Sequence, residues 1–361
     1  MQKPSPARIH PAWAHRLTTP AALIEAGLAA PERLAEIEAV AERYAIGLTP
    51  ALAGLVRPGD LADPIRRQFV PDGRELVRDP AETDDPIGDD AKSPVKGLVH
   101  RYPDRVLIKL VAVCAVYCRF CFRRERIGPG SASLSEGEFA AALDYVRANR
   151  AIWEVILTGG DPLTLSPRRI ALATKAIAGI EHVRTLRWHT RLPVADPERV
   201  TAAMARALRA DGRTVVVALH ANHPRELTVA ARAACRRLSA QGLMLVSQSV
   251  LLKGVNDDVE TLDALMRAFV EAGVKPYYLH HGDLAPGTAH WRVPIVKGQE
   301  LMRSLRARLS GLAMPTYVLD IPGGRGKAPV GPQSIRPDGS GRHVITDPQG
   351  VEHIYVDRLA D

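Results

Sequence analysis

The stretch VLIKLVAVCAVYCRFCFRR, residues 106–124, decides how the rest of the chain is read. Its first half is a short apolar run rich in β-branched residues, the pattern of a buried strand. Its second half sets Cys114, Cys118 and Cys121 on a loop directly beyond that strand. The same apolar run followed by a polar turn and an amphipathic helical pattern recurs at WEVILT (153–158), VRTLRW (183–188), TVVVALH (214–220), LMLVSQS (243–249) and KPYYLH (275–280). The starts lie 47, 30, 31, 29 and 32 residues apart. That spacing is the beat of βα units, in which parallel strands are joined by helical crossovers. A seventh run, TYVLDI (316–321), follows one more helix. Six or seven strands rather than eight predict an α/β fold built as an incomplete, open (β/α)6-type barrel.

On the N-terminal side, residues 18–43 carry Leu23, Ile24, Leu28, Leu34, Ile37 and Val40 at helical spacing, broken once at Pro31. Between about 56 and 105 the periodicity fades and acidic residues crowd a Pro-containing stretch, which reads as a solvated loop. Three segments result: a helical N-terminal region (1–90), the partial barrel (91–312) and a C-terminal extension (313–361). The extension ends in RHVITDPQGVEHIYV, which reads as a hairpin about Asp347–Gly350. A capping-box pair, Ser135 and Glu138, marks the start of the first crossover helix.

Apolar residues make up 46% and charged residues 24% of the 361, the balance of a folded chain, which excludes disordered and low-complexity classes. No apolar stretch reaches the roughly eighteen residues of a membrane span, and the opening MQKPSPARIHPAWAHR lacks a secretory pattern. The expectation is a cytoplasmic protein with no membrane partner. Four cysteines in a chain of this size make no disulfide framework, and three of them cluster.

Ligand chemistry in α/β barrels gathers at the C-terminal strand ends. Here those ends carry the three cysteines, then Thr158-Gly159-Gly160-Asp161, His189 with Arg191, His220 with Asn222 and His223, Gln248 with Ser249, His280 with His281 and Asp283, and Asp320. Three soft thiolates with no fourth nearby suit a four-iron four-sulfur cluster with one open iron. A zinc site would want four ligands, and a Cys118/Cys121 redox pair would leave Cys114 without a role. Cys235 falls at core spacing within a helix. The run Pro322-Gly323-Gly324-Arg325-Gly326-Lys327-Ala328-Pro329 lacks the glycine and hydroxyl positions of a phosphate loop. It reads either as an exposed loop lysine or as an amine on flexible backbone that can form and exchange an imine. Asp283 and Asp320, each just past a strand end, could hold an ammonium group or serve as turn and cap residues.

The segment CAVYCRFCFRR resembles the cluster loop of the radical S-adenosylmethionine enzymes. From about residue 45 to 335 the chain resembles the lysine 2,3-aminomutase family, on the segments SPVKGLVHRYPDRVL, LTGGDPL, HANHPRELT, QSVLLKGVNDD, DLAPGTAHWRVPIVKG and PTYVLDIPGGRGKAPV. The resemblance implies a radical SAM barrel with Cys114, Cys118 and Cys121 as ligands of a 4Fe-4S cluster whose open iron binds S-adenosyl-L-methionine. It implies that Lys327 holds pyridoxal 5'-phosphate, with Arg101, Arg105 and Arg119 as a cationic cradle. Gly159, Gly160 and Asp161 resemble the turn that receives the methionine amine, and His220 and Gln248 line the same cavity. Arg123 matches the arginine that pairs with the substrate carboxylate. Asp283 and Asp320 match the acidic pair that grips the side-chain ammonium of lysine, a pair that glutamate-using relatives lack. The implied reaction moves the amino group of L-lysine from C2 to C3, fed by an electron donor such as flavodoxin or ferredoxin.

Two departures qualify the match. Arg325 stands where the family pattern is all glycine, and Asp258 stands where long members have a zinc-binding cysteine, so no structural zinc is expected. The C-terminal hairpin allows a homo-oligomer by another route. The cluster loop and YYLHHGD look like the shorter branch that serves elongation factor P, whereas the lysine loop looks like the free-lysine branch; ornithine or arginine also remains open as substrate. A net charge of +8 would permit a basic iron–sulfur protein that binds RNA. Against that, aromatics are only 5% and no stacking motif is present, so no nucleic-acid partner is expected.

Overall fold

The apolar runs become neighbours in one nine-stranded sheet, ordered β1 to β9. These are β1 (Leu98–Tyr102), β2 (Arg105–Val111), β3 (Glu154–Gly159), β4 (Thr185–Thr190), β5 (Thr214–His220), β6 (Met244–Val250), β7 (Lys275–His280), β8 (Thr316–Ile321) and β9 (Gly326–Pro329). The computed structural model describes residues 15–339 and 341–357; the opening segment 1–14, read above for a leader, lies outside them. Strands β2 to β8 are parallel to their neighbours, and the expected incomplete α/β barrel is what they form. Strands β1 and β9 flank it antiparallel, and they do not pair with each other. Strands β8 and β9 continue the barrel sheet although they lie past residue 312.

Of the six principal crossover helices, Glu136–Ala148, Pro167–Ala178, Ala202–Ala207, Val229–Ser239, Val259–Glu271 and Ile295–Arg308, the first five begin where the sequence offers a side-chain cap, and the last follows Pro294 without one. The side chains of Ser135, Ser166, Thr201, Thr228 and Asp258 accept backbone N–H groups of the first turns, satisfying donors that an α-helix leaves unpaired. Asp258 therefore has a local duty as a helix cap.

Side chains alternate along each strand, so every second residue faces the barrel interior. Val155 and Leu157, Leu186 and Trp188, and Val217 and Leu219 pack outward under the helices, in the main core. Their neighbours Thr158, His189, His220 and Gln248 line the interior cavity instead. Alternation thus delivers polar side chains from each of these strands to a shared mouth.

The N-terminal region is helical as expected, with Pro20–Glu25 and Leu34–Arg43 separated by a short turn from Pro31. The acidic stretch is only in part the solvated loop expected from its composition: Asp84 and Asp90 are exposed, but two of its acids are not. Glu82 and Asp89 are buried, because Arg292 and the N–H groups of Gly287 and Thr288 meet Glu82, and cavity arginines meet Asp89. Strand β1 also lies inside that stretch. The C-terminal hairpin is present as β11 (Arg342–Thr346) and β12 (Glu352–Val356), with β10 (Ile335–Pro337) as a third strand. Among the described residues no helix is long and apolar enough to cross a membrane.

Candidate active site

The barrel encloses a cavity of about 820 Å³. One wall is the cysteine loop. Its backbone is tied to the N-terminal region through Tyr117 N–H to Gly47 C=O and Arg119 N–H to Gln68 C=O, both 2.9 Å. Cys114, Cys118 and Cys121 all open onto the cavity. Burial pushes the three thiols up, that of Cys118 to about 11. Among the described residues no three Cys, His, Asp or Glu side chains already stand at metal-ligating separations. The donor set nevertheless fits a four-iron cluster: three soft sulfurs on one enclosed wall, with room beside them for a further ligand.

The end of β3 presses against this loop. A Cβ at Gly160 would meet the Val113 carbonyl oxygen at 2.2 Å, and one at Gly159, whose φ is +109°, would meet that of Val111 at 2.3 Å. Only glycine permits that approach. Asp161 follows with its carboxylate fully engaged, accepting from the Thr190 hydroxyl (2.8 Å), Arg191 N–H (2.8 Å) and Leu163 N–H (3.0 Å). Its side chain fixes the turn, and burial raises its pKa.

The opposite wall lies at the seam between β1 and β9. Lys327, on β9, donates from Nζ to Asp320 Oδ1 at 2.6 Å and Oδ2 at 2.5 Å. Burial opposes the charge on Asp320, but His280 and Lys327 outweigh it and hold the carboxyl well below its usual range. Asp283 faces the same space with no such partner. Burial, then the charge of Asp320, pushes it up to about 7. Neither aspartate caps a helix. The Lys327 N–H donates to the Tyr102 hydroxyl at 2.7 Å, a side-chain stitch across the unclosed seam. Gly323 and Gly324 take φ near +75° and pass Gly88 so closely that a Cβ there would overlap their backbone. Arg325 is exposed and does not burden the turn.

Arg101 and Arg105 both line the cavity, Arg105 with its guanidinium 3.7 Å above the Tyr102 ring. Arg101 is held by the Ile87 carbonyl (2.7 Å) and Asp89 (3.1 Å), and its Nε is buried without a partner. Arg123 also reaches Asp89 (3.0 Å). Arg119 is a correction: its guanidinium is turned away from the cavity onto Glu75 (2.6 Å) and the Ala45 carbonyl (2.8 Å). It cannot join a cradle from there.

Sequence reasoning missed Asp89, which gathers Arg101 and Arg123, and it missed Tyr102. It noted His189 without a role. That ring is buried in the cavity with Nε2 unpartnered, and burial followed by the nearby charges of Arg187, Arg123 and Lys327 keeps it neutral.

A family model for the radical SAM superfamily matches residues 108–266, from β2 to the helix after β6. Among curated relatives, L-lysine 2,3-aminomutase of Methanococcus maripaludis is 38% identical over 323 residues, 89% of this chain and 74% of that protein. L-lysine 2,3-aminomutase of Clostridium subterminale is 37% identical over 314 residues, 87% and 75%. Glutamate 2,3-aminomutase of Clostridioides difficile is 35% identical over 299 residues, 83% and 70%. Open barrel, cysteine loop and family match define a radical SAM enzyme, a class that carries a 4Fe-4S cluster and uses S-adenosyl-L-methionine. Within that class the chain belongs to the lysine 2,3-aminomutase family, as an aminomutase-like isomerase.

Proposed function

We propose that this protein is a pyridoxal phosphate-dependent 2,3-aminomutase acting on free L-lysine to give β-lysine. The observation that carries the reading is the Lys327–Asp320 contact beside Asp283. An alkyl ammonium already sits on this acidic pair, and the side-chain ammonium of lysine is the same chemical group. A substrate ending in a carboxylate would meet like charge there.

The residues fit pyridoxal phosphate. Lys327 would hold it from the start of β9, just past a glycine-rich turn, and Arg101, with a free buried Nε, and Arg105 would face its phosphate. When bound, that cofactor supplies stabilisation for the migrating nitrogen, as the cluster and S-adenosylmethionine supply the hydrogen-abstracting radical. The chain's own work is placement. Asp320 and Asp283 take the ammonium end. Arg123 trades Asp89 for the substrate carboxylate, and the barrel walls exclude water from the space between. Cys114, Cys118 and Cys121 ligate the cluster, with His220, Gln248 and the Gly159–Gly160 turn beside it. An external one-electron donor of the flavodoxin or ferredoxin kind, in a reducing cytoplasm, completes the proposal.

Reconstituted protein assayed anaerobically with S-adenosylmethionine, pyridoxal phosphate, reductant and L-lysine, L-arginine or L-glutamate tests it. β-Lysine from lysine alone, lost in Lys327→Ala with the cluster intact, is the expected result. Cofactor cleavage with no amino-acid isomer would discard the substrate.

A further inference from the structure

Arg191, at the end of β4, is a buried cation in the cysteine wall that the reading above gives no task. Its N–H is fixed by Asp161 at 2.8 Å. Its guanidinium is clamped by Gln68 Oε1 at 2.8 Å and by Glu226, with the Phe69 ring 4.8 Å from its centre. Gln68 is itself held by Glu226 (3.2 Å) and by Asn222 (3.1 Å), and Glu226 accepts the N–H groups of Asn222 and His223. Two segments distant from it in sequence, the helix Pro64–Phe69 and the turn after β5, thus converge on one side chain. Gln68 and Glu226 both accept from Nη2. The remaining Nη1 donates to Cys118 Sγ at 3.4 Å.

We propose that Arg191 is a positioning residue that sets the reduction potential of the cluster through this N–H···S hydrogen bond. A fixed donor and a positive charge against a ligating sulfur stabilise the more negative, reduced cluster relative to the oxidised one. Reduction by an external low-potential donor adds one electron and breaks no bond, so the whole effect appears in the potential. A buried guanidinium paired only with Glu226 would add little to folding beyond what a hydrophobic replacement gives. The sulfur contact supplies a reason for its placement. The inference rests on Cys118 being a cluster ligand.

That premise is measured apart. Iron and sulfide content of Cys118→Ala must fall well below four per chain; a full, unchanged cluster would sink the ligand reading, whatever Arg191 does. The inference itself is tested by EPR-monitored redox titration of reconstituted protein without S-adenosylmethionine, comparing wild type with Arg191→Gln and Arg191→Lys, each at matched iron content. The reduced-to-oxidised ratio at a fixed potential should fall about tenfold in Arg191→Gln, equivalent to about 59 mV for one electron. Arg191→Lys, which keeps the charge but not the geometry, should fall between. Equal potentials in all three loaded proteins would overturn it. Should Arg191→Gln fail to load, wild type labelled with ¹⁵N-arginine gives an independent answer. Pulsed EPR of the reduced cluster should show a ¹⁵N coupling that Gln68→Leu, by loosening the clamp, weakens, and a spectrum with no coupling would overturn the proposal.

Discussion

The two walls of the cavity use ion pairs in opposite ways. Behind the cysteine wall, Glu75 bridges Arg119 and Arg124, and Glu226 holds Arg191, with all of these groups buried and Glu75 facing away from the cavity. At the seam wall, Lys327 on Asp320, Arg101 on Asp89 and Arg123 on Asp89 face the open space. The first set is scaffold from which only Arg191 reaches the cavity, and it is suited to a group that stays. The second set consists of partners that a ligand can replace, each cation matched to an anion that substrate or cofactor would supply. Substitutions in the two sets should therefore fail differently, one in stability and the other in binding.

Glu75→Gln should produce the largest effect. It strands two buried guanidinium groups on one neutral amide, and breaking a buried pair in this way costs about 3–5 kcal/mol. Chemical denaturation of the loaded protein should show that loss, while the KM for lysine of whatever remains folded is unchanged. A milder loss would mean that water reaches Glu75 and that the two walls are less distinct than their packing implies.

Asp320→Asn should invert the pattern. Its closest partner Lys327 is partly exposed, and the contacts to Arg101 and His280 are longer, at 3.5 and 3.6 Å, so the unfolding transition should move less than in Glu75→Gln. Losing the partner of a desolvated ammonium costs about 2–4 kcal/mol in binding. The kcat/KM for lysine should fall by between about thirtyfold and a thousandfold. A large drop in stability instead would place Asp320 with the scaffold.

Asp283 makes the seam wall sensitive to pH. Its pKa of about 7 in the fold lies above the usual carboxylate value, so between roughly pH 4 and 7 the folded chain binds a proton that the unfolded chain does not. The stability it contributes is present at low pH and is lost as pH rises through about 7. A bound ammonium favours the ionised form, so the KM for lysine should fall roughly tenfold per unit as pH rises toward 7 and then level off. Calorimetry in buffers of different ionisation enthalpy should register proton release on lysine binding near pH 6, which Asp283→Asn abolishes.

What could be read beforehand follows the same division. The barrel was legible because strand alternation and the recurring βα spacing are local, and the cysteines because three thiols share one short loop. Asp283, Asp320 and Lys327, which the fold brings to one wall, were singled out from strand ends and resemblance together. Arg119 was misplaced because a loop position does not say which way a side chain turns. Its direction is decided by Glu75, 44 residues earlier. Asp89 was hidden among Asp84, Asp85 and Asp90, since nothing in composition separates a buried carboxylate from solvated neighbours until arginines from β1 and the cysteine loop are brought to it.

The smallest expected effect concerns the seam itself. Tyr102 holds the Lys327 N–H with its hydroxyl and supports Arg105 with its ring. Tyr102→Phe removes only the first contact. A hydrogen bond of this kind contributes about 1 kcal/mol net, and its half-buried location lets water replace part of it. Thermal stability should change by no more than that. If the stitch matters because it fixes where Lys327 starts, the effect should appear in retention of pyridoxal phosphate, measured by absorbance after gel filtration and weakened about fivefold, with cluster content unchanged. Tyr102→Leu, which also removes the face under Arg105, should weaken retention further. Equal retention by wild type and Tyr102→Phe would show that the β8–β9 pairing alone positions the lysine, and that the open seam needs no fastening.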